Sequence, residues 1–364
     1  MQLLVFAHTP PPMHGQSLMV QTLVEGLPSI TTHLRVFHVN PRLSRDSSDV
    51  GRWRLGKFFA LVAACVRALR LRARHGRTIF YYVPAPARRG ALYRDWLVML
   101  LCRPFFGALV LHWHAVGLGE WLATRATPPE RWLTRALLGR ATLSIVLAPE
   151  LIADAQLLSP RRIAIVPNGV ADPGAPTPRD RAVTTPFEIL FLGLGSREKG
   201  LFDTLTAVEI ALAREPGGFR LTVAGGFASA ADNRAFLARA KTLGADAVQH
   251  VGFADEARKH ALFASADVFC FPTSHPYEGQ PLALIEALAH DVPIITTRWR
   301  AIPGMLPTTH VWFVDPARPD QIAEALLAAR RSERPHGKLR EHYLAHFTRE
   351  RHLEELATAL LSLE

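Results

Sequence analysis

Strand-like segments, most of them apolar, recur along the chain and mostly end at a proline or glycine turn. In the first half they are Leu3–Phe6, Arg35–Val39, Thr78–Val83, Ala108–Leu111 and Leu143–Leu147. In the second they are Phe187–Leu192, Arg220–Ala224, Gln249–Gly252, Asp267–Phe271 and Pro293–Thr296. Short unbroken runs of this kind predict strands buried on both faces, as in parallel sheets. Between them, helical spacing is predicted from Leu18 to about Leu27, over Arg52–Arg77, Arg88–Leu101 and Leu282–Ala289, and in the closing segment His346–Leu361. Strands and helices alternating through two halves predict two doubly wound α/β domains.

The densest chemistry lies in Phe271–Met305. The chain leaves a strand, turns at Pro272 and crosses a polar loop to Glu278-Gly279-Gln280. Pro281 suits the first turn of a helix, where its missing N–H costs nothing. N–H groups around Gly279, Gln280 and Leu282 then stand at a helix N-terminus, where the helix dipole adds positive potential. Such a terminus accepts a phosphate, and Gly279 lets a ligand come close to the backbone. Glu278, just before the helix, and Glu286, about two turns into it, would repel that phosphate. Both therefore read as acceptors for hydroxyl groups. A phosphate flanked by hydroxyl-bearing groups is a nucleotide sugar, with ribose on one side and a hexose on the other.

Glu278, seven residues and then Glu286, within EGQPLALIEALAHDVPII, resemble the Glu-x7-Glu signature of the retaining glycosyltransferases of family 4, whose fold is GT-B. The plain alternative is an acidic loop before an ordinary core helix. Gly279, Pro281 and the Pro293-Ile294-Ile295 run favour the resemblance. It implies two Rossmann-like domains facing a central cleft. Residues 1–170 would form the acceptor-binding domain, joined by a C-terminal helix at about 348–364. Residues 171–347 would bind the nucleotide-sugar donor. The implied reaction is sugar transfer to an acceptor hydroxyl with retention at the anomeric carbon.

The resemblance also assigns residues. It puts Gly15 and Gln16, in the loop after the first strand, near the donor diphosphate, although no G-x-G-x-x-G occurs there. Lys199-Gly200 matches the family's Lys-Gly on the diphosphate. Leu194 stands where an arginine is expected, and Arg197 is the cation that could replace it. Gly252 and Phe253 fall near the base. Gly279, Gln280, Pro281 and Leu282 surround the phosphates, Glu286 meets ribose hydroxyls and Glu278 the sugar. His114 is placed on the transferred sugar, with Ala115 where the family has a glycine. On physical grounds too, a histidine at the carboxyl end of a parallel strand, before Gly117 and Gly119, sits where such folds bind ligands. Glu278, His114 and Lys199 form the candidate catalytic set. The run Val166-Pro167-Asn168-Gly169-Val170 resembles the family's connector, and a Pro- and Gly-bearing linker runs on to Pro186. Trp299–Gly304 departs from the family's Gly-Gly-x-x-Glu. The leaving phosphate itself would take the acceptor's proton.

Composition narrows the picture. With 364 residues, 49% hydrophobic and 20% charged, the chain has material for two cores and no signature of disorder. The start, MQLLVFAHTPPP, reads as a strand, not a signal peptide, and no apolar stretch reaches the ~18 residues of a membrane span. Cys65, Cys102 and Cys270 each sit in apolar company and read as reduced thiols, which points to the cytoplasm. No Cys/His spacing suits zinc, and no Asp-x-Asp occurs. No metal or other cofactor is expected.

Charge is divided unevenly. Residues 1–170 carry 21 Lys/Arg and 8 Asp/Glu, a net of +13, whereas residues 171–364 carry 21 and 24, a net of −3. The span Arg52–Arg77 sets Phe58, Phe59, Leu61, Val62, Val66 and Leu69 against Arg67, Arg70 and Arg74, with Trp53 nearby. Such a face suits an anionic membrane surface, or else a core helix with a solvated basic side. The acceptor is read as lipid-linked or saccharide, in surface polysaccharide assembly, with the protein peripheral on the inner face of the membrane. Nucleic acid is not expected, because the aromatic interleaving and modules of such binders are missing. The rival readings are a GT-B epimerase or phosphorylase and a non-catalytic nucleotide-binding protein at a membrane surface. A phosphorylase would need a pyridoxal lysine, and there are five lysines: Lys57, Lys199, Lys241, Lys259 and Lys338.

Overall fold

The computed structural model describes residues 1–42, 55–175 and 186–363. Two compact units divide the chain. The first comprises Met1–Gly169, Tyr277–Gln280 and Arg349–Glu364, the second Val170–Pro276 and Pro281–Thr348. The short segment Tyr277–Gln280, which carries Glu278, thus lies within the second half in sequence but belongs structurally to the first unit.

In the first unit six parallel strands stand in the order β2-β1-β3-β4-β5-β6. They are β1 (Gln2–Phe6), β2 (Arg35–Val39), β3 (Ile79–Tyr82), β4 (Ala108–Trp113), β5 (Leu143–Val146) and β6 (Ile163–Ile165). The helices between them are α1 (Gly15–Ile30), α2 (Leu55–His75), α3 (Arg89–Cys102), α4 (Leu118–Thr124), α5 (Pro128–Leu138) and α6 (Ile152–Gln156). Strand order reverses between β1 and β3. The crossovers therefore put α1 on one face and α2, α3 and α5, packed side by side, on the other. The closing helix, Arg349–Leu361, covers α1: Leu353 fills the space a side chain at Gly26 would need. The core joins Leu3, Val5, Tyr81, Val110 and Ile145 from the sheet to Leu353, Leu356 and Leu360 from that helix.

The second unit repeats the plan in the order β12-β11-β10-β7-β8-β9. Its strands are β7 (Phe187–Leu192), β8 (Phe219–Ala224), β9 (Val248–Gly252), β10 (Val268–Phe271), β11 (Ile294–Thr297) and β12 (Val311–Val314). Its helices are α7 (Leu201–Arg214), α8 (Ala230–Leu243), α9 (Glu256–Ser265), α10 (Leu282–Ala289), α11 (Ile302–Met305), α12 (Pro319–Arg331) and α13 (Lys338–His346), with the closing helix then α14. Here the order reverses between β10 and β7. In open α/β sheets, the crevice at the carboxyl ends of such a strand pair is where ligands bind.

Two expectations need correction, and one open choice is decided. Gly15 and Gln16 are not loop residues; they open α1, capped by His14, whose Nδ1 accepts from the N–H of Ser17 at 3.2 Å. Pro281 occupies the cap position of α10 and not its first turn. Of the two readings of α2, the helix buries Leu61, Ala64, Cys65 and Ala68 and turns Phe58, Phe59 and Val66 outward on the arginine side. Short alanine and cysteine side chains let α2 lie close to its neighbours, so the large residues are not the core face. Trp53 and most of the linker lie outside the described residues. All three cysteines are buried free thiols. No described helix is long and apolar enough to cross a membrane.

Candidate active site

At the switch point of the second unit, the loops after β7 and β10 are tied together. Ser274 donates its N–H to the Glu198 carbonyl at 2.8 Å. Gly200 has φ +81°, and a side chain there would meet the Pro272 carbonyl at 2.3 Å. That position thus demands glycine twice, for its left-handed backbone and for the close approach. Lys199, just before it, holds its Nζ 5.5 Å from the centre of the Phe271 ring, at the carboxyl end of β10. The aromatic ring and the loops hold the cation at the switch point. Arg197 is exposed, its guanidinium 4.9 Å above the Phe202 ring of α7, and Leu194 is also exposed. The helix α10 begins at Leu282, so the N-terminal donors belong to Leu282 and Ala283. Gly279 and Gln280 precede the cap.

At the carboxyl end of β9, Gly252 has φ +72° and Phe253 is 63% exposed. A large aromatic side chain open to solvent beside a glycine turn offers a flat surface for a base.

Glu286 lies deeper. Its Oε1 is 2.5 Å from the Nζ of Lys259 on α9, which also contacts Glu256 at 2.7 Å. The pair opens on a cavity of about 70 Å³ bordered by Asp172, Glu256, Lys259, His260, Glu286 and His290. Burial raises the pKa of Glu286, while Lys259 acts in the opposite direction. Burial also opposes the charge on Lys259, but the two carboxylates outweigh it and its pKa is raised. The result is an ion pair at the edge of a small cavity.

Glu278 has a different setting. Its segment rests on the carboxyl-end loops of the first unit. The Val116 N–H donates to the Tyr277 carbonyl at 3.4 Å, and the Tyr277 hydroxyl donates to the Ala87 carbonyl at 3.2 Å. Asn168 grips Gln280 twice, its N–H to the side-chain oxygen at 2.6 Å and its Nδ2 to the carbonyl at 3.1 Å. Gly279 sits so close to His114 that an added Cβ would lie 2.7 Å from the His114 carbonyl oxygen. The His114 backbone itself makes a close approach to this glycine. Glu278 and His114, both expected at the transferred sugar, come from segments in direct contact.

The first unit surrounds them with neutral imidazoles. Burial pushes His114 down to about 3, with help from His352 and His14. His352 of α14 donates from Nδ1 to the Pro167 carbonyl at 2.6 Å, and burial lowers it to about 4. His112, inside β4, pairs with the Tyr81 hydroxyl, and burial lowers it too. Such groups offer hydrogen bonds but carry no positive charge near neutral pH. Among the described residues no group of three or more His, Cys, Asp or Glu is arranged to hold a metal ion.

Of the predicted residues, Gly15 and Gln16 stand at the α1 N-terminus of the first unit. Lys199, Arg197, Gly252, Phe253, Leu282 and Glu286 stand in the second. Lys259, His352 and Tyr277 were missed. Only Asn168, in the connector motif, carried a signal that could have found it.

Residues 186–331 match the family described as Glycosyl transferases group 1. No curated protein matches the sequence. Among solved structures, sucrose-phosphate synthase from Thermosynechococcus elongatus matches with a TM-score of 0.76 at 18% identity, over 100% of this chain and 99% of its own. HepE from Anabaena, in complex with UDP and glucose, gives 0.70 at 15% identity over 99% of both chains. The lipopolysaccharide outer core galactosyltransferase WaaB gives 0.68 at 14% identity, over 100% of this chain and 99% of its own. Likeness at these identities speaks to the fold, which is GT-B.

Proposed function

We propose that the protein transfers a sugar from a nucleotide-sugar donor to an acceptor hydroxyl, with retention at the anomeric carbon, as a hexosyltransferase of family 4 type. The observation that carries this reading is the switch point of the second unit. Lys199, after β7, and the N-terminus of α10, after β10, stand there, with the exposed Phe253 at the end of β9, all in the same span that matches the glycosyl transferase family.

The physical problem is negative charge growing on a departing diphosphate. Lys199 and the Leu282 and Ala283 N–H groups are in place before reaction, so they stabilise that charge without reorganisation. In this reading Glu286 accepts ribose hydroxyls and Glu278 the sugar's, with His114 as a neutral partner beside Glu278. The leaving phosphate takes the acceptor's proton, so no side-chain base or metal is required. UDP is the first donor base to test, because HepE is described with UDP and with UDP-glucose. The acceptor is a lipid-linked or saccharide hydroxyl at the inner face of a membrane.

Thermal unfolding with UDP, ADP and GDP tests the donor site, since a ligand at 100 times its dissociation constant adds about 2.7 kcal/mol. Release of the free diphosphate on mixing the matching sugar donor with acceptor then tests transfer. Stabilisation by none of the three would overturn the donor reading.

A further inference from the structure

On the outward side of the α2–α3 layer, the basic face of α2 is joined by apolar residues of α3 that no sequence spacing announced. Along α2 the exposed positions include Leu55, Phe59, Ala63, Val66, Arg70 and Arg74, at the three- and four-residue steps of one helical stripe, with Phe58 and Arg67 exposed beside it. Along α3 the outward stripe is Tyr93, Leu97 and Leu100, continued by Pro104 and Phe105. Leu100 is 61% and Phe105 58% exposed, while Leu92, Val98, Met99 and Cys102 fill the opposite side of α3 with buried apolar groups. A helix apolar on both sides ordinarily lies inside a protein or against lipid. On α5, which packs on α3, Trp132 is 69% exposed beside the exposed Arg135.

Among the described residues of α2 and α3, exposed charge has one sign. From Leu55 to Gly119 the sole acidic residue is Asp95. It is fully buried, accepting from the Tyr82 hydroxyl and the Ala85 N–H. Glu130 of α5 is nearly buried and bound to Arg89 and Tyr93. No exposed carboxylate from α2 or α3 balances Arg67, Arg70 and Arg74.

We infer that the outward side of α2 and α3 docks on an anionic lipid bilayer, with Phe59, Leu100 and Phe105 entering the interface and the arginines meeting the headgroups. A second copy of the chain fits less well. A twofold dimer presents the same patch from both subunits, which would set arginines against arginines with no carboxylate to separate them. An anionic bilayer supplies both the apolar interior and the negative charge. The inference rests on this surface alone and stands whether or not sugar transfer does.

The test is flotation with neutral phosphatidylcholine vesicles and with vesicles containing phosphatidylglycerol. The wild type is expected to float with the anionic vesicles and to be released by salt. The double variant Arg70→Gln/Arg74→Gln should lower partitioning roughly thirtyfold. Leu100→Ser/Phe105→Ser should lower it about tenfold or more, at any salt concentration. Leu237→Ser, at a similarly exposed apolar position on the second unit, should float like the wild type. All these positions are exposed, so each variant should keep the parent's unfolding temperature. Equal recovery on the two vesicle types, or variants that float like the wild type, would overturn the assignment. So would loss of self-association in Leu100→Ser/Phe105→Ser without any vesicle binding, which would make the surface an interface between copies.

Discussion

Glu278 and Glu286 belong to one short motif, yet they live in different surroundings. Glu286 is on a helix of the second unit, partnered at 2.5 Å by Lys259 and facing a small cavity. Glu278 is on a segment held by the first unit, through Ala87, Val116 and Asn168. The difference teaches that sequence adjacency does not decide what fixes a carboxylate in place. One is set by an ion pair across two neighbouring helices, the other by backbone contacts with loops from the far end of the chain. If the two differ in support, they should fail differently.

The largest difference should come from Lys259→Met. Removing one partner of a largely buried pair costs about 3 kcal/mol. Burial already raises the pKa of Glu286, and without Lys259 it rises further. A carboxyl held above its unfolded value of about 4.3 loses stability as pH rises through its folded value. The variant should therefore be weaker relative to wild type at about pH 8 than at about pH 5. His260 and His290 border the same cavity, as do Glu256 and Asp172, but they are present in both proteins and cancel in the difference. Denaturant unfolding at the two pH values reads it; a pH-independent loss would mean that Glu286 is not the group left unpaired.

Next comes Gly279→Ala, which affects the Glu278 side alone. The new methyl group would press on the His114 carbonyl, 2.7 Å away, and shift the segment. A displacement near 1 Å at a reacting centre costs about a hundredfold in turnover. Calorimetric nucleotide affinity should stay at the parent value, because the second unit is untouched. Equal losses in both would show that the segment does not position Glu278 separately from the donor site.

A direct exchange sharpens the contrast. Glu286→Ala should raise the dissociation constant for the nucleoside diphosphate and Glu278→Ala should lower turnover, each by roughly tenfold or more. Calorimetry and steady-state rates separate the two outcomes, and identical profiles would erase the distinction. The smallest effect concerns counter-charge. With Lys199 and the α10 N-terminus in that role, EDTA should leave the rate unchanged, and recovery on adding Mg²⁺ after a loss would refute it.

Much of the framework was legible without coordinates. The runs Arg35–Val39 and Phe187–Leu192 occur as strands with those very bounds. Helix ends were less legible. Gly15 opens α1 because His14 caps it, and a histidine is not among the residues that announce a cap. Whether Phe59 and Val66 turn outward stayed open in the sequence, because helical spacing shows which residues share a side, not which side meets the core.

What the sequence by itself determined is the alternation of strands and helices, the uneven charge of the halves and the Glu-x7-Glu spacing. These depend on neighbours within a few residues or on simple counts. Only the tertiary structure decided that Lys259 meets Glu286, that Asn168 grips Gln280 across 112 positions of chain, and that α3 shows apolar residues outward. Each of these depends on which elements the sheet order makes adjacent. That order follows from packing the whole chain, and no local pattern encodes it.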